Sequence, residues 1–148
     1  MIKTQDFSAI ELGSYGEKLA KEFLKKQGYK IVVTNFSIRL GRSFSGHPIT
    51  GEIDIIAYDQ EVLCFIEVKT RSTDFLAPEK AVNLAKQRQL SRVAKRYKEI
   101  FQLTNEPSRF DVIAILLTNS NVDIRLEKDF FLPISKHYYS WQRFFVRN

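Results

Sequence analysis

Charged side chains interrupt two apolar segments of this sequence, residues 51–56 and residues 65–69. The first segment carries Asp54, and the second carries Glu67 and Lys69. An ionised group inside a sheet costs several kcal/mol unless it is paired or binds a metal ion. Two carboxylates and an ammonium in adjacent strands are the groups that a metal-dependent phosphodiester hydrolase requires. The two segments together therefore predict a hydrolytic metal site.

Strand geometry predicts which of these groups share a face. Residues two apart in a strand lie on the same face, roughly 6.5 Å apart, so Glu67 and Lys69 point the same way. Mg²⁺ prefers hard oxygen ligands and retains several waters. We expect Asp54, Glu67 and the carbonyl oxygen of Val68 to bind Mg²⁺, with Mn²⁺ as an alternative ion. Lys69 would activate the attacking water or offset negative charge on the phosphorane.

Simpler explanations compete for each residue taken singly. A cross-strand salt bridge would explain Glu67 alone, but it explains the two charged segments together less well. Glu17, at the edge of the apolar side of a predicted first helix, could be an added metal ligand or an ordinary boundary carboxylate. Lys86 falls within the apolar arc of a later helix, where it could point to the site or extend its ammonium to solvent.

Basic charge is concentrated in part of the chain. The net charge is +6, and residues 78–100 hold seven basic side chains against two acidic ones. Such an excess indicates a polyanionic partner, although a solvated helix face explains it equally well. Residues 39–50 contain no acidic side chain and several turn-formers, which predicts a mobile surface loop. The residues expected to contact nucleic acid are Lys86, Arg88, Arg92, Arg39 and Arg42.

Hydrophobic periodicity predicts one α/β domain over residues 1–148, in the order α-β-β-β-α-β-β. A long helix between two apolar strands favours a mixed β-sheet flanked by helices. The core would comprise residues 12–118, and residues 119–148 would add a C-terminal strand and a short aromatic helix. The predicted ranges are a helix ending near Gln27, strands at 29–36, 51–58, 62–69, 110–117 and 122–126, a helix from Pro78 to Ile100 and a helix at 135–145.

Composition excludes several classes of protein. The single cysteine, Cys64, cannot form an internal disulfide and is typical of a reducing compartment. One cysteine with two distant histidines, His47 and His137, argues against a zinc site. We find neither a signal peptide nor an apolar run of membrane-spanning length. A cytoplasmic protein without membrane contact is expected.

Several short motifs resemble one family over roughly residues 12–118. They are Gly16-Glu17, Asn35, Gly51-Glu52-Ile53-Asp54, Phe65-Ile66-Glu67-Val68-Lys69-Thr70-Arg71, Lys86-Gln87-Arg88 and Arg109-Phe110-Asp111-Val112. In this order they resemble the YraN family of small bacterial proteins. That family is assigned to the PD-(D/E)xK nuclease superfamily, near the archaeal-type Holliday junction resolvases. The resemblance implies a restriction-endonuclease-like fold.

The resemblance also implies roles for individual residues. Asp54 matches the metal-binding aspartate of the superfamily, and Glu67 and Lys69 match its Glu-x-Lys motif. Glu17 matches a helix-one glutamate that often completes the metal site, and Gln87 matches a polar position in the following helix. The catalytic set implied is thus Asp54, Glu67, Lys69, Glu17 and Gln87.

The chain departs from the family pattern before the first charged segment. Ser37 stands where the family has the first arginine of an Arg-x-Arg motif, and residues 39–50 make the connection longer than usual. The substrate contacts of this region are therefore expected to differ.

The combined patterns predict a Mg²⁺-dependent endonuclease acting on DNA, either selective for branched or junction structures or nonspecific. A homodimer would suit an enzyme that cuts two strands. Two alternatives remain open: a noncatalytic nucleic-acid-binding or protein-interaction module with the same fold, and a nuclease acting on RNA, which basic charge does not distinguish from DNA.

Overall fold

The structure, a computed structural model, describes residues 7–72 and 82–134 of the chain. Within these ranges a five-stranded sheet is flanked by two helices, and the order of elements is α-β-β-β-α-β-β, as predicted. The elements are α1 (Ala9–Lys26), β1 (Lys30–Arg42), β2 (Pro48–Asp59), β3 (Val62–Arg71), α2 (Leu84–Ile100), β4 (Ser108–Leu117) and β5 (Val122–Phe131). Neither described helix is long and apolar enough to span a bilayer.

The sheet is mixed and its strands lie in sequence order. Strand β3 pairs with β4 in parallel, and the other three neighbouring pairs are antiparallel. Helix α2 lies in the connection between the two parallel strands, as such a crossover requires. The central strand β3 is buried at each position from Leu63 to Val68, because both faces of the sheet are covered by helices.

Two hydrophobic clusters occupy the two faces of the sheet. Ala20 and Leu24 of α1 pack on Ile66 in the first cluster. Val93 and Tyr97 of α2 belong to the second cluster, on the other face. Each fully buried leucine or isoleucine in such a cluster stabilises the fold by about 1.5–3 kcal/mol. The strand that carries Glu67 is thus held rigidly between two packed layers.

The helix ends follow local capping rules. Ser8 caps α1 in a capping box with Glu11, the amide of Glu11 donating to the Ser8 hydroxyl at 3.3 Å. Gly28 adopts a positive φ of 90° just after the helix, as predicted. Helix α2 begins at Leu84 because the Asn83 side chain accepts a hydrogen bond from the Lys86 amide at 2.9 Å.

Two predicted ends of elements are wrong. The second helix begins at Leu84 and not at Pro78, which itself lies outside the described residues. Strand β5 continues to Phe131, beyond the predicted end at residue 126. The helix expected at residues 135–145 lies outside the described residues.

The predicted loop at residues 39–50 is mostly strand, and we call this segment the hairpin arm. Strands β1 and β2 continue through it, pairing Arg39 with Thr50 and Arg42 with Pro48, so that only a short turn joins them. The turn-forming residues misled the prediction because Gly41 is absorbed in a register shift, a β-bulge, between Arg39 and Gly41. The arm is therefore an ordered extension of the sheet.

Candidate active site

Strands β2 and β3 separate at the residues predicted to bind metal. Their paired residues run from Asp59↔Val62 to Ile55↔Ile66 and go no further. Beyond that point the amide of Val68 donates to Asp54 Oδ2 at 2.8 Å instead of to a backbone carbonyl. The amide and carbonyl of one extended residue point to the same side of a strand, so the Val68 carbonyl faces the same gap. Asp54 thus holds the two strands apart.

A kink in β1 lies opposite this gap. Thr34↔Ile55 and Phe36↔Ile53 are paired, which sets Asn35 opposite Asp54. Asn35 has a φ of 53°, a left-handed conformation that asparagine tolerates better than most residues. Asn35 was not predicted to have a role, although an asparagine within a run of strand-forming residues is a sign of such a kink.

The kink reverses the side-chain alternation of both strands. Val33 and Phe36, three apart in β1, both pack against the α2-side cluster, and so do Ile53 and Ile56 of β2. In an uninterrupted strand, residues three apart would lie on opposite faces. The reversal on both strands brackets Asp54, so the site sits where the sheet is irregular.

Glu67 is the most buried charged group of the site. Its side chain is 3% exposed, and its Oε1 lies 3.3 Å from Lys69 Nζ and 3.4 Å from Lys86 Nζ. Its Oε2 is also buried but has no hydrogen-bond partner among the residues that the structure describes. A buried acceptor without a partner costs about 1–3 kcal/mol. Such a group is uncommon in folded proteins. A bound cation, a water or a proton shared with the neighbouring Asp54 carboxyl would satisfy it.

The carboxyl of Asp54 has a strongly perturbed acidity. Burial, and then the negative charge of Glu67, raise the pKa of Asp54 to about 7. The Val68 amide and the Lys86 ammonium oppose this shift. A buried carboxyl whose ionisation is disfavoured by a neighbouring carboxylate is an arrangement that a bound cation would stabilise.

Glu17 lies beside the carboxylate pair. A Cβ on Gly16 would overlap the side chain of Thr70, so the backbone of α1 packs directly on this side chain of β3 and carries Glu17 close to the site. Burial raises the pKa of Glu17, the charge of Asp54 raises it further, and a hydrogen bond with Asn35 lowers it. These interactions place Glu17 within electrostatic reach of Asp54.

The metal-ligating set is nevertheless small. Among residues 7–72 and 82–134, no group of three or more Asp, Glu, His or Cys side chains has the spacing of a metal cluster. Asp54 and Glu67 are therefore a two-carboxylate site, with Glu17 as a neighbour. Mg²⁺ is commonly held by one or two carboxylates and keeps water in its other positions, so this set fits the ion.

Helix α2 contributes at its first turn. Lys86 points to Glu67 and not simply to solvent, which decides between the two alternatives for this lysine. The side-chain amide of Gln87 donates a hydrogen bond to the carbonyl of Val82 at 3.0 Å. This bond stabilises the start of the helix. The ammonium-bearing side chains of Lys69 and Lys86 are 30% and 29% exposed, so a substrate can reach both from solvent.

Comparison with known proteins identifies the family. The sequence profile described as "Uncharacterised protein family UPF0102" matches residues 16–115. The chain belongs to the UPF0102 family. This membership confirms the family-level resemblance inferred from the motifs, and the matched range contains Glu17, Asp54, Glu67, Lys69 and Lys86.

Individual UPF0102 proteins align over most of the chain. The relative from Caldicellulosiruptor saccharolyticus is 41% identical over 124 residues, which cover 82% of this chain and 97% of the relative. The relative from Clostridium perfringens is 41% identical over 123 residues, with 81% and 93% covered. Among solved structures, the crystal structure of SSO0001 aligns with 96% of this chain and 62% of its own, at a TM-score of 0.42 and 17% identity, too low to support an argument.

Arginines expected to bind nucleic acid have structural contacts in this UPF0102 protein. Arg92 donates to the carbonyl of Leu40 at 3.0 Å, and Arg42 donates to the carbonyl of Gly46 at 2.8 Å. Each guanidinium carries five N–H donors, so these bonds leave donors for a phosphate. Arg39 and Arg88 have exposed side chains.

A second ionic cluster joins β2, β4 and β5, together with Tyr29 just before β1, near the first residues of β3. Arg109 lies 2.6 Å from Asp59 and 2.9 Å from the buried Asp111, and it donates to the Tyr29 hydroxyl at 2.9 Å. Asp59 also pairs with Lys128 at 3.1 Å. Sequence pattern predicted no role for Arg109 or Asp111. Their mutual pairing makes them part of the fold, because each charge has a partner.

Replacing Asp54 by asparagine is expected to stabilise the metal-free protein at neutral pH by about 1–3 kcal/mol. The amide keeps an acceptor for Val68 and removes the buried charge opposite Glu67. The folded protein holds the Asp54 proton to about pH 7, whereas the ordinary pKa is 3.8. Since the folded state binds more protons between these values, wild-type stability relative to the variant should fall as pH rises from about 4 to about 7. Urea denaturation in EDTA measures this difference.

Asp59 provides a matched control of opposite sign. Hydrogen bonds from Arg109 and Lys128 hold the pKa of Asp59 below its usual value. Asp59→Asn should therefore destabilise the protein at neutral pH, and the loss should shrink as the pH falls below about 4. A difference between wild type and Asp54→Asn that does not vary with pH would contradict the buried carboxylate pair.

Proposed function

We propose that this UPF0102 protein is a Mg²⁺-dependent endonuclease that hydrolyses phosphodiester bonds of DNA. The observation that carries the proposal is Glu67 Oε2, which is buried without a described hydrogen-bond partner in the gap beside Asp54. The other oxygen of the same carboxylate contacts two ammonium groups. The Glu67 carboxylate thus has one oxygen, Oε1, beside two ammonium groups and a second, Oε2, that is buried without a described donor.

The donor chemistry of the gap suits a hard divalent ion. Asp54, Glu67 and the carbonyl of Val68 would hold Mg²⁺, and Mn²⁺ accepts the same oxygen ligands. When bound, the ion supplies a Lewis acid for the phosphate and lowers the pKa of a water. Because the two carboxylates lie on separate strands of a packed sheet, they are pre-positioned and need little reorganisation.

The two lysines then have separable roles. Lys69 follows Glu67 on the same face of β3 and its ammonium lies beside the carboxylate, where it would offset negative charge that develops on the phosphate oxygens. Lys86 approaches Glu67 from α2 and orients the carboxylate while adding positive charge for the substrate. Glu17 adds a further negative charge near Asp54, and Asn35 is hydrogen-bonded to Glu17.

The arrangement also supports membership of the PD-(D/E)xK superfamily as part of this proposal. Asp54 on β2 and Glu67 with Lys69 on β3 occupy adjacent strands of a mixed sheet, in the order which the resemblance implies. A homodimer in the cytoplasm would present two such sites to the two strands of a DNA duplex.

Purified full-length protein should cleave DNA in Mg²⁺ or Mn²⁺ and leave it intact in EDTA. Fluorescent duplex, single-stranded, flap and four-way-junction DNA of matched sequence would be incubated with the protein and resolved on denaturing gels. RNA versions of the same substrates form a parallel series. Binding without cleavage of any substrate would contradict the proposal and favour a binding module, and cleavage of RNA alone would change the substrate.

A further inference from the structure

The tip of the hairpin arm presents an aromatic ring to solvent. Phe44 has a relative exposure of 115%, the highest value among the large apolar side chains of the described residues. A single exposed apolar residue needs no explanation by itself. The surroundings of Phe44 distinguish it from the other exposed apolar residues that the structure describes.

The turn that carries Phe44 is internally hydrogen-bonded. The Ser43 amide donates to the His47 carbonyl at 2.8 Å, and the Gly46 amide donates back to the Ser43 carbonyl at 2.9 Å. Arg42 adds a bond from its guanidinium to the Gly46 carbonyl at 2.8 Å. The ring is therefore held outward by an ordered turn, and binding through it would cost little conformational entropy.

The base of the arm is fixed to α2. Arg92 and Gln89 donate to the carbonyls of Leu40 and Thr50, at 3.0 and 3.3 Å. A Cβ on Gly51 would overlap the side chain of Val93, so backbone and helix are in direct contact there. Since α2 also carries Lys86 into the site, the arm and the carboxylates keep a constant relative position.

The charge around Phe44 selects the chemistry of the partner. Residues 39–50 contain Arg39 and Arg42 and no acidic side chain. Arginine beside an exposed aromatic ring matches single-stranded nucleic acid, which offers phosphates to the cations and base faces to the ring. In a paired duplex these faces are stacked inside, and only an unpaired base can accept the ring.

The distance from the carboxylates to the tip of the hairpin arm is comparable to one turn of a DNA duplex. Phe44 stands about nine strand residues beyond Asn35, which is opposite Asp54, and this corresponds to roughly 30 Å at most. One turn of B-form DNA is about 34–36 Å. If the scissile phosphate of a duplex lies at Asp54 and Glu67, a base within about one helical turn of that phosphate would be able to reach the tip of the hairpin arm.

We propose that Phe44 stacks on an unpaired base of branched DNA within about one helical turn of the scissile phosphate. This inference rests on the proposed function, which it deepens by naming the substrate class as DNA with a junction between paired and unpaired strands. Arg39 and Arg42 would bind phosphates beside the stacked base.

Binding and cleavage measured separately test the inference. Fluorescence anisotropy of the full-length protein in Ca²⁺ would compare a forked DNA with a plain duplex of equal length. Phe44→Ala should weaken binding to the fork about 10-fold, the size of one lost base–aromatic stack, and leave duplex binding unchanged. Phe44→Trp keeps a stacking ring and should restore fork binding. A 2-aminopurine base beside the branch should report stacking with wild type and not with Phe44→Ala.

Equal losses on fork and duplex, or no loss on either, would overturn the inference. The proposed nuclease function fails by a different result, namely no metal-dependent cleavage of any DNA by wild type. A protein that cleaves DNA while Phe44→Ala binds the fork normally keeps its function and loses this inference. A protein that does not cleave DNA but shows fork-specific binding through Phe44 keeps this inference and loses the proposed nuclease function.

Discussion

Lys69→Met should reduce the single-turnover rate of DNA cleavage in Mg²⁺ by about 10²–10⁴-fold, the range associated with losing a positioned proton-transfer or charge-stabilising group. Methionine keeps most of the aliphatic stem and removes the ammonium that lies 3.3 Å from Glu67 Oε1. Lys86 still pairs with that oxygen, so the fold should persist. Cleavage rates at saturating protein, with circular dichroism as a check on folding, measure the effect.

Two further variants make the Lys69 result specific. Lys25→Met changes an exposed lysine in the last turn of α1 and should leave the rate unaltered. Lys69→Arg keeps the charge but cannot release a proton near neutral pH. Retained activity would assign Lys69 to charge stabilisation, and loss equal to that of Lys69→Met would indicate proton transfer. A Lys69→Met rate close to wild type would remove this lysine from the mechanism.

Glu67→Gln should abolish the stabilisation of the protein by divalent metal. A ligand at about 100 times its dissociation constant stabilises the folded state by roughly 2.7 kcal/mol, which for a domain of this size corresponds to about 5–10 °C in melting temperature. Differential scanning calorimetry with and without Mn²⁺ measures this increment. The increment, and not the absolute melting temperature, is the informative quantity, because the substitution also weakens the contacts with Lys69 and Lys86.

Matched carboxylate variants complete the metal experiment. Asp59 ends β2 and pairs with Val62 at the start of β3, away from Glu67. The Asp59→Asn variant should therefore keep the full increase in melting temperature on addition of Mn²⁺. Glu17→Gln should keep most of it, since no described three-carboxylate cluster includes Glu17. Glu67→Gln with an undiminished increment would mean that the metal binds elsewhere, and the active-site assignment would fail.

Local sequence pattern predicted the positions of Asp54, Glu67 and Lys69 because the strand period of two residues is intrinsic to the extended backbone. Capping at Gly28 was equally local. Longer-range features were less accessible. The hairpin arm was predicted as a loop from its turn-formers, yet cross-strand pairing from Arg39 to Arg42 satisfies the backbone and makes it strand. Pairing partners distant in sequence overrode local propensity there.

The charged residues within two apolar segments predicted, from sequence alone, that Asp54, Glu67 and Lys69 would meet on neighbouring strands. Only the tertiary structure decided how they converge. The separation of β2 from β3, the kink at Asn35 and the approach of Lys86 depend on register and helix packing, which arise from contacts between distant residues. The environment of Glu67 follows from the same packing, because two lysines lie beside Oε1 of its carboxylate and Oε2 is buried without a described donor.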